Sequence, residues 1–177
     1  MKKIFTLIIC LPIFCYAQKK TGGYAQLGGN LEVNKPLGSG GGGSFMVGHF
    51  VGNSMSIGAG FNIIKFKNLD KATPSIFADF RAYFGKDYKK PIPYLTLTPG
   101  YTFFNENIDD RGLSRTIAKG GFLFGAGVGC IFYSGHRIAP FFGISYNNFP
   151  IVNLDKDGNQ IAKNNYNIAN IIFGVKF

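Results

Sequence analysis

Tryptophan is missing from this 177-residue chain, cysteine occurs three times and histidine twice, and charged residues amount to only 16%. Each shortage removes a class of protein. A disulfide-stapled scaffold needs paired cysteines, yet Cys10 and Cys15 lie in an amino-terminal segment expected to be removed, which leaves Cys130 without an internal partner. After residue 17 no stretch approaches the ~20 apolar residues that a membrane-crossing helix needs. Sustained helical periodicity is lacking as well. Acidic residues are few, 9 against 19 Lys plus Arg, for a formal charge of +10.

What the chain does have is 25 glycines, 19 phenylalanines and 9 tyrosines, a composition that suits thin strands with an apolar face. It opens as a secretory leader does. Lys2 and Lys3 form a positive start, Ile4 to Phe14 an apolar run, and Cys15-Tyr16-Ala17 a cleavage site before Gln18. The expected division is therefore a signal peptide over 1–17 and one domain over 18–177, with a mature charge of +8 once Lys2 and Lys3 leave. An anchor helix would need a longer run. A lipoprotein signal would need a small residue where Ile9 stands, and Cys10 comes too early for a full apolar region.

Within the mature chain, apolar and polar residues alternate with period two. Between Ser75 and Gly85, for example, Ile76, Ala78, Phe80, Ala82 and Phe84 share one face, and Phe77, Asp79, Arg81 and Tyr83 the other. Eight such segments are expected, near 22–33, 43–51, 54–66, 75–85, 93–104, 120–133, 138–148 and 166–177. Most reach the ~9 to 11 residues that a tilted strand needs to cross a bilayer. The longest connections are a Gly-rich loop at 34–42 and two loops at 105–119 and 148–165; turns at 52–53 and 134–137 are tight. An even number of long strands can close on itself and leave no edge in lipid. The predicted fold class is all-β, an eight-stranded antiparallel up-and-down transmembrane β-barrel.

Six segments have a clean apolar face, such as Met55, Ile57, Ala59, Phe61 and Ile63, or Ala169, Ile171, Phe173, Val175 and Phe177. The second and seventh segments read as apolar on both faces. Opposite faces carry Gln26, Asn30 and Glu32, Asp79 and Arg81, Thr96 and Thr98, or Asn170 and Lys176. Eight strands enclose only enough space for side chains, so the lumen should be a packed polar core with no pore. Buried charges must be paired, and Glu32, Asp79, Arg81 and Lys176 sum to zero, which predicts an internal ion-pair network. Inward Gly58, Gly60, Gly125, Gly127 and Gly129 would leave room for long side chains such as Arg81 or Tyr83.

Two motifs fall short of chemistry. Gly38-Ser39-Gly40-Gly41-Gly42-Gly43 matches a dinucleotide fingerprint but precedes a strand, whereas phosphate cradling needs a helix N-terminus. Asp155-Lys156-Asp157-Gly158-Asn159 starts like a calcium loop, yet its glycine comes two positions early and no closing glutamate follows. No cofactor or metal is expected.

Together the leader, the alternation, the uneven connections and the terminal Phe177 resemble the small outer-membrane β-barrel proteins of the OmpA/OmpX-type superfamily, in the style of the short barrels of Bacteroidota, across residues 19–177. The resemblance implies a cell outer membrane location, both termini in the periplasm and the long loops outside. It implies outer-membrane lipid and the barrel assembly machinery as partners, with Val175 and Phe177 as the assembly signal; the glycine of that pattern would fall at Ile172, whereas this chain has Gly174. A surface or periplasmic protein partner is also implied. Nucleic acid is not, because the basic residues are divided between the two sides of a membrane. Some barrels of this size act enzymatically on lipid A from the outer leaflet, but His49 and His136 fall toward the periplasmic end, so no catalytic residues are assigned. The implied role is structural or surface interaction. The alternatives are an accessory barrel of a secretion or surface-assembly system, or a soluble periplasmic ligand-binding barrel.

Overall fold

Alternating side chains lay the backbone out as ten antiparallel strands in the computed structural model, which describes residues 22–34, 37–69, 71–85, 90–103, 105–110, 114–133, 138–154 and 160–177. The strands are β1 (Gly23–Asn34), β2 (Gly38–Val51), β3 (Met55–Phe66), β4 (Thr73–Tyr83), β5 (Ile92–Thr102), β6 (Asn105–Asp110), β7 (Ser114–Lys119), β8 (Phe122–Ile131), β9 (Ala139–Leu154) and β10 (Gln160–Lys176). Among the described residues there is no helix. Eight strands close a ring in the order β1-β2-β3-β4-β5-β8-β9-β10, and β10 pairs back onto β1 from Gln26↔Lys176 to Val33↔Ala169. Phe177 extends this seam, its N–H donating to Ala25 O at 2.8 Å and its carbonyl accepting from Ala25 N–H at 3.3 Å. Closure satisfies the backbone groups that lipid cannot.

Three connections differ from expectation. The Gly-rich segment at 34–42 largely belongs to β2, which pairs with β1 as far up as Asn34↔Gly38. Glycine carries no strand signal of its own, so only the neighbours reveal it. Residues 105–119 form the β6–β7 hairpin, paired from Asn105↔Lys119 to Asp110↔Ser114. Residues 148–165 are mostly the prolonged ends of β9 and β10, paired from Asn148↔Asn167 to Leu154↔Gln160. In these stretches glycine, asparagine and charged residues break the alternation that marks a half-buried strand, although Phe149 and Ile151 of the last one face the interior.

Outward positions form an apolar wall: Leu27 and Leu31 on β1, Phe61 and Ile63 on β3, Phe80 on β4, Leu97 on β5, Phe124 and Val128 on β8, and Ile171 and Phe173 on β10 are all exposed. A water-soluble surface does not carry a continuous apolar belt of this kind, but a bilayer covers one. The two ambiguous strands take their facing from register. Val47 lies between Ala25 and Ala59, which turns Phe45, Val47, His49 and Val51 outward and Met46 and Phe50 inward. On β9, Phe142, Ile144 and Tyr146 face out and Phe141 and Ser145 face in.

Inward glycines are filled from across the strands by rings. A Cβ at Gly129 would overlap the Tyr94 ring, one at Gly60 the Phe77 ring and one at Gly48 the Tyr24 ring. At Gly60 and Gly129 the space expected for Arg81 or Tyr83 is thus taken by other aromatics, and at Gly58, Gly125 and Gly127 by Met46, by Asn147 with Thr98, and by Ser145. Tyr94 and Phe149, which by position resemble interfacial aromatics, are buried inside the barrel.

Candidate functional site

The lumen is built in three levels. At the end that carries residue 22 and Phe177, Tyr24, Met46, Phe50, Tyr83, Ile92, Tyr94, Ile131 and Phe141 make a buried apolar cluster. At the distal end Leu37, Ile64, Phe66, Phe149, Ile151 and Ile168 make a second. Between them lies a polar level, because there the inward positions fall on Gln26, Asn30, Asn62, Asp79, Arg81, Thr96 and Asn170.

Arg81 and Asp79 sit two residues apart on β4, hence on the same face. Arg81 Nε approaches Asp79 Oδ1 at 2.8 Å and Nη2 donates to Oδ2 at 3.3 Å, a bidentate pair. Arg81 Nη1 donates to Gln26 Oε1 at 2.8 Å, Thr96 Oγ1 donates to Asp79 Oδ2 at 3.0 Å, and the guanidinium lies 4.8 Å from the Tyr94 ring centroid. Both charges are therefore desolvated and engaged on several sides.

The four-membered ion-pair network does not form among the described residues. Lys176 turns instead into an aromatic cage, its Nζ 3.5 Å from the centroid of Tyr24, 4.1 Å from that of Phe50 and 5.2 Å from that of Tyr83. It also donates to Tyr83 Oη at 3.2 Å, while Ser56 Oγ bridges the hydroxyls of Tyr24 and Tyr83 at 3.1 Å each. Glu32 lies six residues above Gln26 on β1, about 20 Å along the strand, and is buried away from the Arg81 level. Summing charges on one face could not reveal this, because the balance of a face says nothing of height along the barrel. Alternation does place Tyr24, Phe50, Tyr83 and Lys176 all inward near one end, and that was the available signal for the cage.

A cavity of about 60 Å³ opens in the polar level. Asn30 Oδ1, Ser145 Oγ and Asn170 Oδ1 are buried at its wall without a protein partner among the described residues. A water needs ~10–15 Å³ and two to four polar contacts, so the chamber suits a few water molecules. It contains no arrangement of nucleophile and base, and no group of three or more metal-ligating side chains occurs among the described residues. His49 projects from the outer face of β2, toward lipid. Cys130 is a free thiol, half-buried, on the outer face of β8. His136, Asp155 to Asn159 and the leader lie outside the described residues.

Beyond the ring, β6, β7 and the distal ends of β9 and β10 make a four-stranded sheet, with β7 joined to β9 from Ile117↔Leu154 to Lys119↔Val152. Some six residues of β9 rise past its last pairing with β8, at Phe124↔Asn148. At ~3.3 Å per residue this is about 20 Å. Among the described residues β6 pairs only with β7, which leaves its other edge open there.

No family model matches the sequence, and no curated protein matches it either. Solved structures do. The neisserial surface protein NspA superposes with a TM-score of 0.62 at 16% identity, over 89% of this chain and 96% of that one. The N-terminal β-barrel domain of OprF from Pseudomonas aeruginosa gives 0.54 at 14% identity, over 87% and 97%. The outer membrane protein AlkL, solved in DMPC lipid bilayers, gives 0.54 at 13% identity, over 91% and 92%. With its closed ring, apolar outer wall and polar interior, the chain has the fold of the small eight-stranded outer-membrane β-barrels of the OmpA/OmpX type.

Proposed function

We propose that the mature protein, residues 18–177, is an integral outer-membrane barrel with a structural and surface-interaction role, its distal sheet being the part that meets other molecules outside the cell. The observation that carries this reading is the projecting β6–β7–β9–β10 sheet on a rigid ring. Extended partners add to open sheet edges through main-chain hydrogen bonds, and β6 offers such an edge. Deleting 105–119 and trimming 150–163 to a tight turn should preserve the barrel, still seen as a mobility difference between unheated and boiled protein on gels. Surface binding measured on whole cells should be lost. Survival of that binding would exclude the distal sheet.

The same reading makes the protein non-conducting and without catalytic activity. The aromatic cage around Lys176 and the distal apolar cluster stand on either side of the polar level, which supports a lumen with no continuous water path. Planar bilayers containing the pure protein should show no large, stable conductance. Porin-like currents would overturn the closed lumen.

A further inference from the structure

Glu32 is an inward carboxylate, 3% exposed, that makes no ion pair among the described residues. Its row across the barrel explains the isolation. On β2 it pairs with Gly40, whose place inside is filled by the Phe66 ring, and on β10 with Asn170. Arg81 is taken by Asp79, and Lys176 sits in its aromatic cage at the level of Gln26, about 20 Å away along β1. At that distance the attraction is weak. A bare carboxylate in so dry a place is costly unless a positive charge stands beside it.

The neighbours of Glu32 offer oxygen. Asn170 lies directly opposite on β10 with its Cα about 5 Å away, and Asn30 lies two residues back on the same face, about 7 Å away. Ser145 of β9 pairs with Asn170 from the other side. Asn30 Nδ2 donates to Asn62 Oδ1 at 3.0 Å, which leaves Asn30 Oδ1 as the free end of its amide. Glu32 Oε2, Asn170 Oδ1 and Ser145 Oγ are likewise buried without a protein partner among the described residues. Asn30, Asn170 and Ser145 line the polar chamber, and Glu32 adjoins the first two of them on its distal side. All four of these atoms accept hydrogen bonds, and only the serine hydroxyl can also donate. What complements such a set is a species that brings positive charge and no acceptor of its own.

A transition metal would call for histidine, cysteine or several carboxylates, and no group of three or more such side chains occurs among the described residues. Carboxylate, amide and hydroxyl oxygens select a hard cation instead. With one carboxylate a monovalent ion leaves the site neutral, whereas calcium or magnesium would leave a net positive charge buried in a chamber that Arg81 also lines.

We propose that the distal side of the polar chamber binds one monovalent alkali cation, sodium or potassium, held by Glu32 Oε2, Asn30 Oδ1, Asn170 Oδ1 and Ser145 Oγ and completed by water. The chamber, at about 60 Å³ against the ~10–15 Å³ that one water needs, has room for the ion and its remaining waters. The ion ties β1 to β10 and β10 to β9, so it staples the seam at which the ring closes. This goes beyond the surface role and rests on the closed ring alone, so loss of surface binding on trimming the distal sheet would leave it standing.

The test unfolds the mature chain with urea from phosphatidylcholine vesicles in sodium, potassium or calcium chloride, with choline chloride holding the ionic strength constant. Methyl groups cover the charge of choline, so it cannot replace the ion among the oxygens. The unfolding equilibrium constant should fall about tenfold for each tenfold rise in the preferred alkali ion once the site is mostly filled, as one bound ion requires. Glu32→Gln should abolish this dependence and, in choline alone, be at least as stable as the wild type, because the carboxylate there has no partner. Ser145→Ala, which removes one ligand and leaves Glu32 in place, should shift the dependence to higher concentration. A wild type equally stable in every salt would overturn the site and mean that Glu32 carries a proton and the chamber only water. Dependence that survives Glu32→Gln would overturn the assignment to this carboxylate. A response to calcium with none to sodium or potassium would overturn the monovalent ion.

Discussion

Arg81→Ala should lower the stability of the folded barrel by about 3 to 5 kcal/mol, the range for removing one partner of a buried ion pair. Arg81 holds Asp79 through two contacts and Gln26 through a third, and both charged side chains are almost wholly buried. Without the guanidinium, Asp79 keeps only the Thr96 hydroxyl as a side-chain donor among the described residues. The double substitution Asp79→Leu with Arg81→Met should recover most of the loss, because the cost comes from the charge left behind more than from the missing attraction. Urea titration of the protein in lipid vesicles reads both values. A loss below about 1 kcal/mol for Arg81→Ala would mean that Asp79 finds water or another partner, and that the polar level is more open than its packing indicates.

The second large effect separates two adjacent glycines. Gly42→Ala should destabilise by about 1 to 3 kcal/mol, as overpacking does, since its Cβ would meet the Ile63 carbonyl and the Ile64 Cα, both backbone atoms of the paired strand β3. Backbone cannot swing aside as a side chain can. Gly43→Ala, one residue along and facing outward, should be neutral or should gain up to about 1 kcal/mol, because the glycine there only adds conformational entropy to the unfolded chain. The pair is measured by the same urea titration. Equal effects at 42 and 43 would show that β2 is not in the register that places Met46 and Phe50 inward.

That register also marks where sequence reading reaches its limit. On β4 the alternation of Ile76, Ala78 and Phe80 with Phe77, Asp79 and Arg81 was enough to assign both faces, because only one set could tolerate lipid. On β2, with Phe45 and Val47 beside Met46 and Phe50, either assignment was apolar. The neighbouring Ala25 and Ala59 decided it through pairing. Likewise, 105–119 and 148–165 read as loops because asparagine and charged residues interrupt them and Phe149 and Ile151 are too short a repeat to mark a strand, yet β7 finds β9 and the two stretches become one sheet.

Local chemistry alone therefore determined the number of ring strands, the apolar wall on all but the second and seventh of them, and the polar residues that point inward on the others, since each depends only on side chains two residues apart on one strand. Tertiary structure decided everything that depends on height around the ring. It joined Arg81 with Gln26 and Asp79 with Thr96, left Glu32 some 20 Å away along β1, and placed Lys176 among Tyr24, Phe50 and Tyr83. The physical reason is that antiparallel pairing fixes which residues of different strands share a level, and a single strand carries no record of its neighbours' offset.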